Sequence, residues 1–182
     1  MTDEQPDTTA AAQLLVDAFG RIRQLVAKAT DGASTEALAH HPTPSANSIG
    51  WLVWHLTRVQ DTHVTELADL PTIWETEGWV DRFDLSLPRD ATGYGATPDE
   101  VAALDGVTAD LLDGYHRAVH EMTLSYLRGL DDRALDEVVD RSWDPPVTAG
   151  ARLVSVISDC LQHLGQAAYV RGLQEDSDAT SA

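Results

Sequence analysis

From Thr8 to about Ala29, apolar residues recur at helical spacing: Leu14, Leu15, Ala18, Ile22, Leu25, Val26 and Ala29. No proline interrupts them and Asp31-Gly32 supplies a stop, so the pattern predicts a long first helix. A Pro-containing loop, HHPTPSA (40–46), follows, with Ser45 or Asn47 as the expected cap of the next element. The stretch SIGWLVWHLTRVQDTHVTELADL holds a helical period through Ile49, Leu52, Val53, Leu56, Val59, Val64 and Leu67. This second helix must stop before Pro71.

Residues 71–97 lose the period. They are rich in Trp, Asp, Gly and Pro, and predict a long loop with room for a short turn of helix. Loops of this length in a compact domain are more often functional than idle. TPDEVAAL restarts a helix, with Pro98 in the first position and acids in the first turn. That third helix is expected to run to about Leu130, with a bend at Gly106. DDRALDEVVD suits a short helix and RSWDPPVTAG a loop. Residues 151–173 contain the β-branched Val154, Val156 and Ile157, but 23 residues without proline favour a last long helix. No internal repeat and no strand pair is visible. The expectation is an all-α four-helix bundle over residues 8–174, with a long loop between helices two and three. Residues 1–7 and 175–182 are expected to be disordered tails.

Composition narrows the function classes. With 182 residues and 43% hydrophobic content, the chain can bury one sizeable core. A net charge of −18 repels phosphate backbones and anionic lipid, so no nucleic-acid or membrane partner is expected. A single cysteine, Cys160, rules out an internal disulfide and a multi-cysteine zinc cluster. The acidic N-terminus shows no signal-peptide pattern, and no apolar run reaches the roughly 18–20 residues that span a bilayer. The expected location is the cytoplasm.

Candidate chemistry centres on the seven histidines. His40 and His41 sit in the Pro-containing loop and read as solvent-exposed. Two pairs have i,i+4 spacing, which places both side chains on one helix face: His116 with His120, and Asp159 with His163. His116 and His120 lie among Asp113, Arg117 and Glu121, and read as part of a solvated face. Asp159 and His163 lie among apolar and small residues, where a carboxylate needs a partner. They are either half of a metal site or an ordinary Asp–His pair, with Asp159 alternatively facing outward. His55, flanked by Val53, Trp54 and Leu56, is either a satisfied core histidine or a third ligand from a facing helix. Together His55, Asp159 and His163 would make a two-histidine, one-carboxylate set with open coordination positions. His63 is about 12 Å further along its helix, too far to join the same ion easily, and suits the pocket wall. Cys160 is turned about 100° from Asp159 and reads as a core residue.

These stretches resemble a known family. SIGWLVWHLTRVQDTHV is similar to the second helix of the DinB-like, damage-inducible four-helix proteins, and ISDCLQHLGQAAYVRG to their last helix. WVDRFDLSLPRDATGYGATPDEVAAL resembles the linking stretch of one branch of small members. The resemblance covers roughly residues 10–174. It implies an up-down-down-up bundle, often a homodimer, that binds a divalent metal through one His on helix two and a His-x-x-x-His pair on helix four. Those positions are His55, Asp159 and His163 here. Asp159 departs from the family pattern, and an oxygen ligand in place of imidazole alters affinity or metal preference.

Relatives include mycothiol- or bacillithiol-dependent S-transferases and a mycothiol-dependent isomerase. The resemblance therefore implies a metal-dependent thiol transferase or isomerase acting on a small-molecule substrate with a low-molecular-weight thiol. Zinc or nickel is the first expectation for the metal, then iron or manganese. His63, Arg82 and Tyr94 are candidates for the pocket rim. Two other readings stay open: a non-enzymatic dimeric metal-binding or stress-response module, and a metal-dependent hydrolase.

Overall fold

A computed structural model describes the backbone of residues 9–181, and side chains as far as residue 176. The expectation for residues 1–7 lies outside the described residues. The elements are α1 (Ala10–Thr30), α2 (Thr35–Ala39), α3 (Ile49–Leu67), α4 (Ile73–Thr76), α5 (Trp79–Phe83), α6 (Pro98–Ala102), α7 (Ala109–Arg128), α8 (Asp132–Leu135), β1 (Val138–Asp140), β2 (Val147–Thr148) and α9 (Ala149–Ser181). The all-α class is as expected. The four long helices close a ring: α1 packs on α7 and α9, and α3 packs on the same two. The apolar stripes of all four meet inside that ring, with Phe19, Ile22, Trp54, Leu56, Leu112, Tyr115 and Leu153 fully buried. Among the described residues no helix is long and apolar enough to cross a membrane.

Local chemistry sets most boundaries. Thr9, Ser48 and Thr108 each accept a hydrogen bond from the backbone N–H three residues on, capping α1, α3 and α7. Ser48, rather than Ser45 or Asn47, therefore starts the second long helix. The expected third helix is two. Leu104 and Val107 sink into the core between α6 and α7, and Thr108 opens a fresh helix. Burial of those two side chains outweighs continuity of the backbone. A strand pair is also present: β1 and β2 are antiparallel, with Val138 opposite Thr148 and Asp140 opposite Val147. At three and two residues, these strands are too short to leave a period-two signature. The last helix runs through Ser181, past the end at 173 that patterning suggests.

The 71–97 segment is a built cover for α3. Asp61 accepts from the backbone N–H of Ile73 and Trp74 at 2.9 and 2.8 Å, and from Tyr115 Oη at 2.7 Å. Burial pushes the Asp61 carboxyl upward against these partners and against Arg58, 3.6 Å away. Trp74, Phe83 and Tyr115 rings pack with centroids 5.1–5.9 Å apart. This cover explains why α3 is buried on most of its circumference and why its hydrophobic period is blurred.

Candidate metal centre

α3 and α9 face each other along Leu52 and Leu56 on one side and Val156, Cys160 and Leu164 on the other, all buried. The Cys160 thiol reaches the Leu56 carbonyl oxygen at 3.7 Å, which fixes the register of the two helices. One step around α9 from Cys160, Asp159 and His163 point to the edge of this contact. One residue before Leu56 on α3, His55 meets them. Each of the three offers a ligand atom, and these atoms lie within 4.8 Å of one another. Trp51 stacks on the His55 ring at 4.6 Å between centroids and shields its face.

The hydrogen bonds select the tautomers. His55 Nδ1 lies 2.6 Å from the Thr92 carbonyl oxygen, which can only accept, so Nδ1 carries the proton. His163 Nδ1 lies 3.1 Å from Gln166 Oε1 and donates to it with the amide oxygen facing the ring. Each neutral ring is left with a lone pair on Nε2. His163 Nε2 is 3.6 Å from Asp159 Oδ1, beyond hydrogen-bond length and an ion pair only when the ring is protonated. The other carboxylate oxygen, Asp159 Oδ2, is buried without a hydrogen-bond partner among the described residues. Two Nε2 lone pairs and one unsatisfied carboxylate oxygen fit a divalent cation: metal-ligating histidines commonly hold their second nitrogen on an oxygen acceptor.

The electrostatics agree with that donor set. Burial lowers the His55 pKa, outweighing its bond to Thr92. Asp159 raises that of His163. Burial acts upward on Asp159, but the imidazoles of His163, His55 and His63 outweigh it and hold the carboxyl below its usual range.

Sequence reasoning missed how His55 is held. Four consecutive carbonyls of the covering segment accept side-chain hydrogen bonds, three of them from α3. Arg89 O accepts from Trp74 Nε1 at 2.7 Å, Asp90 O from Arg58 Nη2 at 3.4 Å, Ala91 O from Arg58 Nε at 3.0 Å and Thr92 O from His55. The chain then turns at Gly93 with φ +87°, where an added Cβ would stand 2.9 Å from His55 Nδ1 and 3.0 Å from Trp54. Glycine alone combines that backbone with that approach. A single GYG in the sequence carries no such information.

A cleft of about 640 Å³ is lined by His55 and Asp159 but not by His163. His63 and Tyr94 line it, as do Glu66, Asp140, Trp143 and Arg152. Arg152 is a cleft residue with no sequence signal, because the β1–β2 pair brings Asp140 to it. Arg82 is not among the lining residues; it stacks on Trp79 at 4.3 Å and donates to the Glu77 carbonyl oxygen at 3.0 Å.

His116 and His120 differ from expectation. His116 is fully buried and His120 half-buried, because Leu112, Tyr115, Val119 and Thr123 share their face while Arg117 and Glu121 point out. His41 is also held, between Ala46 O at 2.7 Å and Asp105 at 3.0 Å. Cys160 is a core residue as expected, and burial pushes its thiol pKa up.

Known proteins supply a context for this geometry. A crystal structure of a conserved protein of Enterococcus faecalis aligns at a TM-score of 0.82 and 32% identity, covering 87% of this chain and 94% of that one. Among curated proteins none matches. The family described as mycothiol-S-transferase matches residues 14–175, which takes in most of α1 and α9, all of α3 and α7, the covering segment and the three clustered donors. The chain is therefore a member of the mycothiol-S-transferase family of DinB-like proteins.

Proposed function

We propose that this protein is a divalent-metal-dependent thiol S-transferase that uses a low-molecular-weight thiol of the mycothiol type. His55, Asp159 and His163 would hold the cation. The observation that carries this reading is the hydrogen-bond pattern: both imidazoles donate through Nδ1, so both Nε2 lone pairs and the unpartnered Asp159 Oδ2 remain for a ligand. A bound divalent cation supplies Lewis acidity that favours the thiolate form of a thiol at neutral pH.

The chain's own residues do the rest. Trp51 and the 89–93 backbone exclude water from one side of His55. Asp159 contributes the single negative charge of the donor set. The sulfur nucleophile has to come from outside, because the one cysteine of the chain is buried against Leu56. The thiol would transfer its sulfur to an electrophilic small molecule in the cleft: the S–H bond breaks, a C–S bond forms, the bond from that carbon to its leaving group breaks, and the leaving group departs with the proton. The same reading carries a cytoplasmic location and a homodimer over from the family.

The test begins with tag-free protein grown with zinc, nickel, iron or manganese. Elemental analysis should find close to one ion per chain, and none in His55→Ala or His163→Ala. Thiol-dependent consumption of electrophiles is then measured on the loaded protein. Wild-type protein that retains no metal would leave Asp159 and His163 as a plain ion pair and end this reading. Metal without thiol-dependent turnover would favour the binding module.

A further inference from the structure

The cleft contains a histidine that the donor set does not use. His63 Nδ1 lies 3.0 Å from Arg152 Nη1. A guanidinium has only N–H donors and stays protonated in proteins. The nitrogen facing it must therefore be an acceptor, which places the proton of the neutral ring on Nε2. Glu66 is the competing partner, but at 3.8 Å from the same Nδ1 it is beyond hydrogen-bond length. Arg152 is itself anchored, with Glu66 at 3.2 Å and Asp140 at 3.5 Å, so the guanidinium is held in place from two sides. Burial and the Arg152 charge both lower the His63 pKa, against Glu66 and Asp159.

The His63 side chain is 36% exposed and lines the cleft. Its Nε2–H has no hydrogen-bond partner among the described residues. The charged groups around it are Arg152, Glu66, Asp140 and Asp159. With Asp159 assigned to the cation, Glu66 and Asp140 stand against Arg152 beside His63, and that balance disfavours an anionic ligand group there, so the acceptor that suits Nε2–H is an uncharged oxygen.

We propose that Arg152 holds His63 as the neutral Nε2–H tautomer, making it the cleft's hydrogen-bond donor to a carbonyl oxygen of the ligand and not a proton acceptor. Arg152 is then a positioning residue that acts through His63. The tautomer stands on geometry alone; the ligand clause rests on the cleft being the thiol site. A consequence is that His63 is unavailable as the general base that a hydrolase would need at this position, since Nε2 already bears the proton and Nδ1 is occupied.

The tautomer is read by nitrogen NMR on the metal-free full-length chain with labelled histidine at pH 7.5. The expected result is a His63 Nδ1 without a proton and an Nε2 with one. In Arg152→Met the ring should relax to a mixture of tautomers and take up a proton at higher pH; Arg152→Lys, which keeps a charged donor and guards against a folding artefact, should stay close to wild type. A His63 with its proton on Nδ1, a cationic ring at pH 7.5, or an Arg152→Met spectrum like wild type overturns the proposal.

The ligand clause is read with zinc-loaded protein titrated with acetylated, amidated alanyl-cysteinyl-alanine, a neutral thiol with several carbonyls. His63→Ala should weaken binding by about threefold to tenfold, the range for one hydrogen bond. His63→Gln, which keeps an N–H donor, should recover most of it, with zinc affinity unchanged in both. Equal affinity for wild type and His63→Ala, or zinc-loaded wild type that does not bind the probe, overturns the clause. Failure to load zinc would instead defeat the metal reading and leave the tautomer result standing.

Discussion

Asp159 with His163 and His116 with His120 share the same four-residue helical spacing but sit in opposite surroundings. His116 is wholly buried in α7, and neither of its ring nitrogens has a hydrogen-bond partner among the described residues. Its ring stacks on that of His120 at 6.3 Å, and no third donor joins the two among the described residues. Asp159 and His163 stand at the edge of the α3–α9 contact, with His55 opposite and each imidazole tied to an oxygen acceptor. Spacing on one helix is common; a site needs a donor from a second helix and an environment that fixes which nitrogen is free.

The largest expected effect breaks this contrast directly. His163→Ala should lower zinc affinity at least about 100-fold, more than loss of a partner outside the ligand set, while His116→Leu should leave it unchanged; isothermal titration of both variants checks this. Equal losses would mean that the two pairs are not different in kind.

Next is Gly93→Ala, which touches no ligand atom except through His55. A Cβ 2.9 Å from Nδ1 at φ +87° should displace either the loop or the ring. Metal affinity is expected to fall about 10–100-fold, with about 1–2 kcal/mol of backbone strain lowering the melting temperature. An unchanged affinity would show that the covering segment does not hold the ligand.

The third prediction concerns the buried pair. Burial, with smaller contributions from the Arg23 and His120 charges, holds the His116 pKa at about 3, against 6.5 for a free side chain. Between those values the unfolded chain binds a proton and the folded chain does not. Stability is then full above pH 6.5 and is lost as pH falls toward 3, by about 1.4 kcal/mol per unit. At pH 5, His116→Leu should therefore gain roughly 2 kcal/mol over wild type relative to their difference at pH 7.5. Denaturant melts at the two pH values measure it, and parallel losses in both proteins would contradict the assignment.

The smallest effect is on the metal side. Asp159 raises the pKa of His163, so a proton already competes with a cation for its Nε2 somewhat above pH 6.5. Zinc affinity should drop by about tenfold per pH unit below that value. A flat affinity between pH 7.5 and 5.5 would remove His163 from the ligand set.

Much of this is legible in the chain. Leu14 to Ala29 and the run 151–173 specify long helices because their periods are clean and their faces are covered from one side only. His55, Asp159 and His163 are visible as chemically awkward residues in apolar surroundings. What fails is reading exposure from neighbours in sequence. Asp113, Arg117 and Glu121 suggest a solvated face around His116, yet a helix turns about 100° per residue, so adjacent charges say little about the residue between them. Leu104 and Val107, buried ahead of the Thr108 cap, end one helix before the next begins, which a periodicity argument across Gly106 does not detect.

The sequence by itself determined which long helices form, and that one of them carries a histidine and another an Asp–His pair, because helical period and capping act over a few residues. Only the tertiary structure decided that these three side chains meet, that the Thr92 carbonyl accepts from His55 Nδ1, and that Arg152 reaches His63. Those contacts join residues as far as 108 positions apart in the chain, His55 and His163, and their geometry depends on how whole helices pack and not on any local pattern.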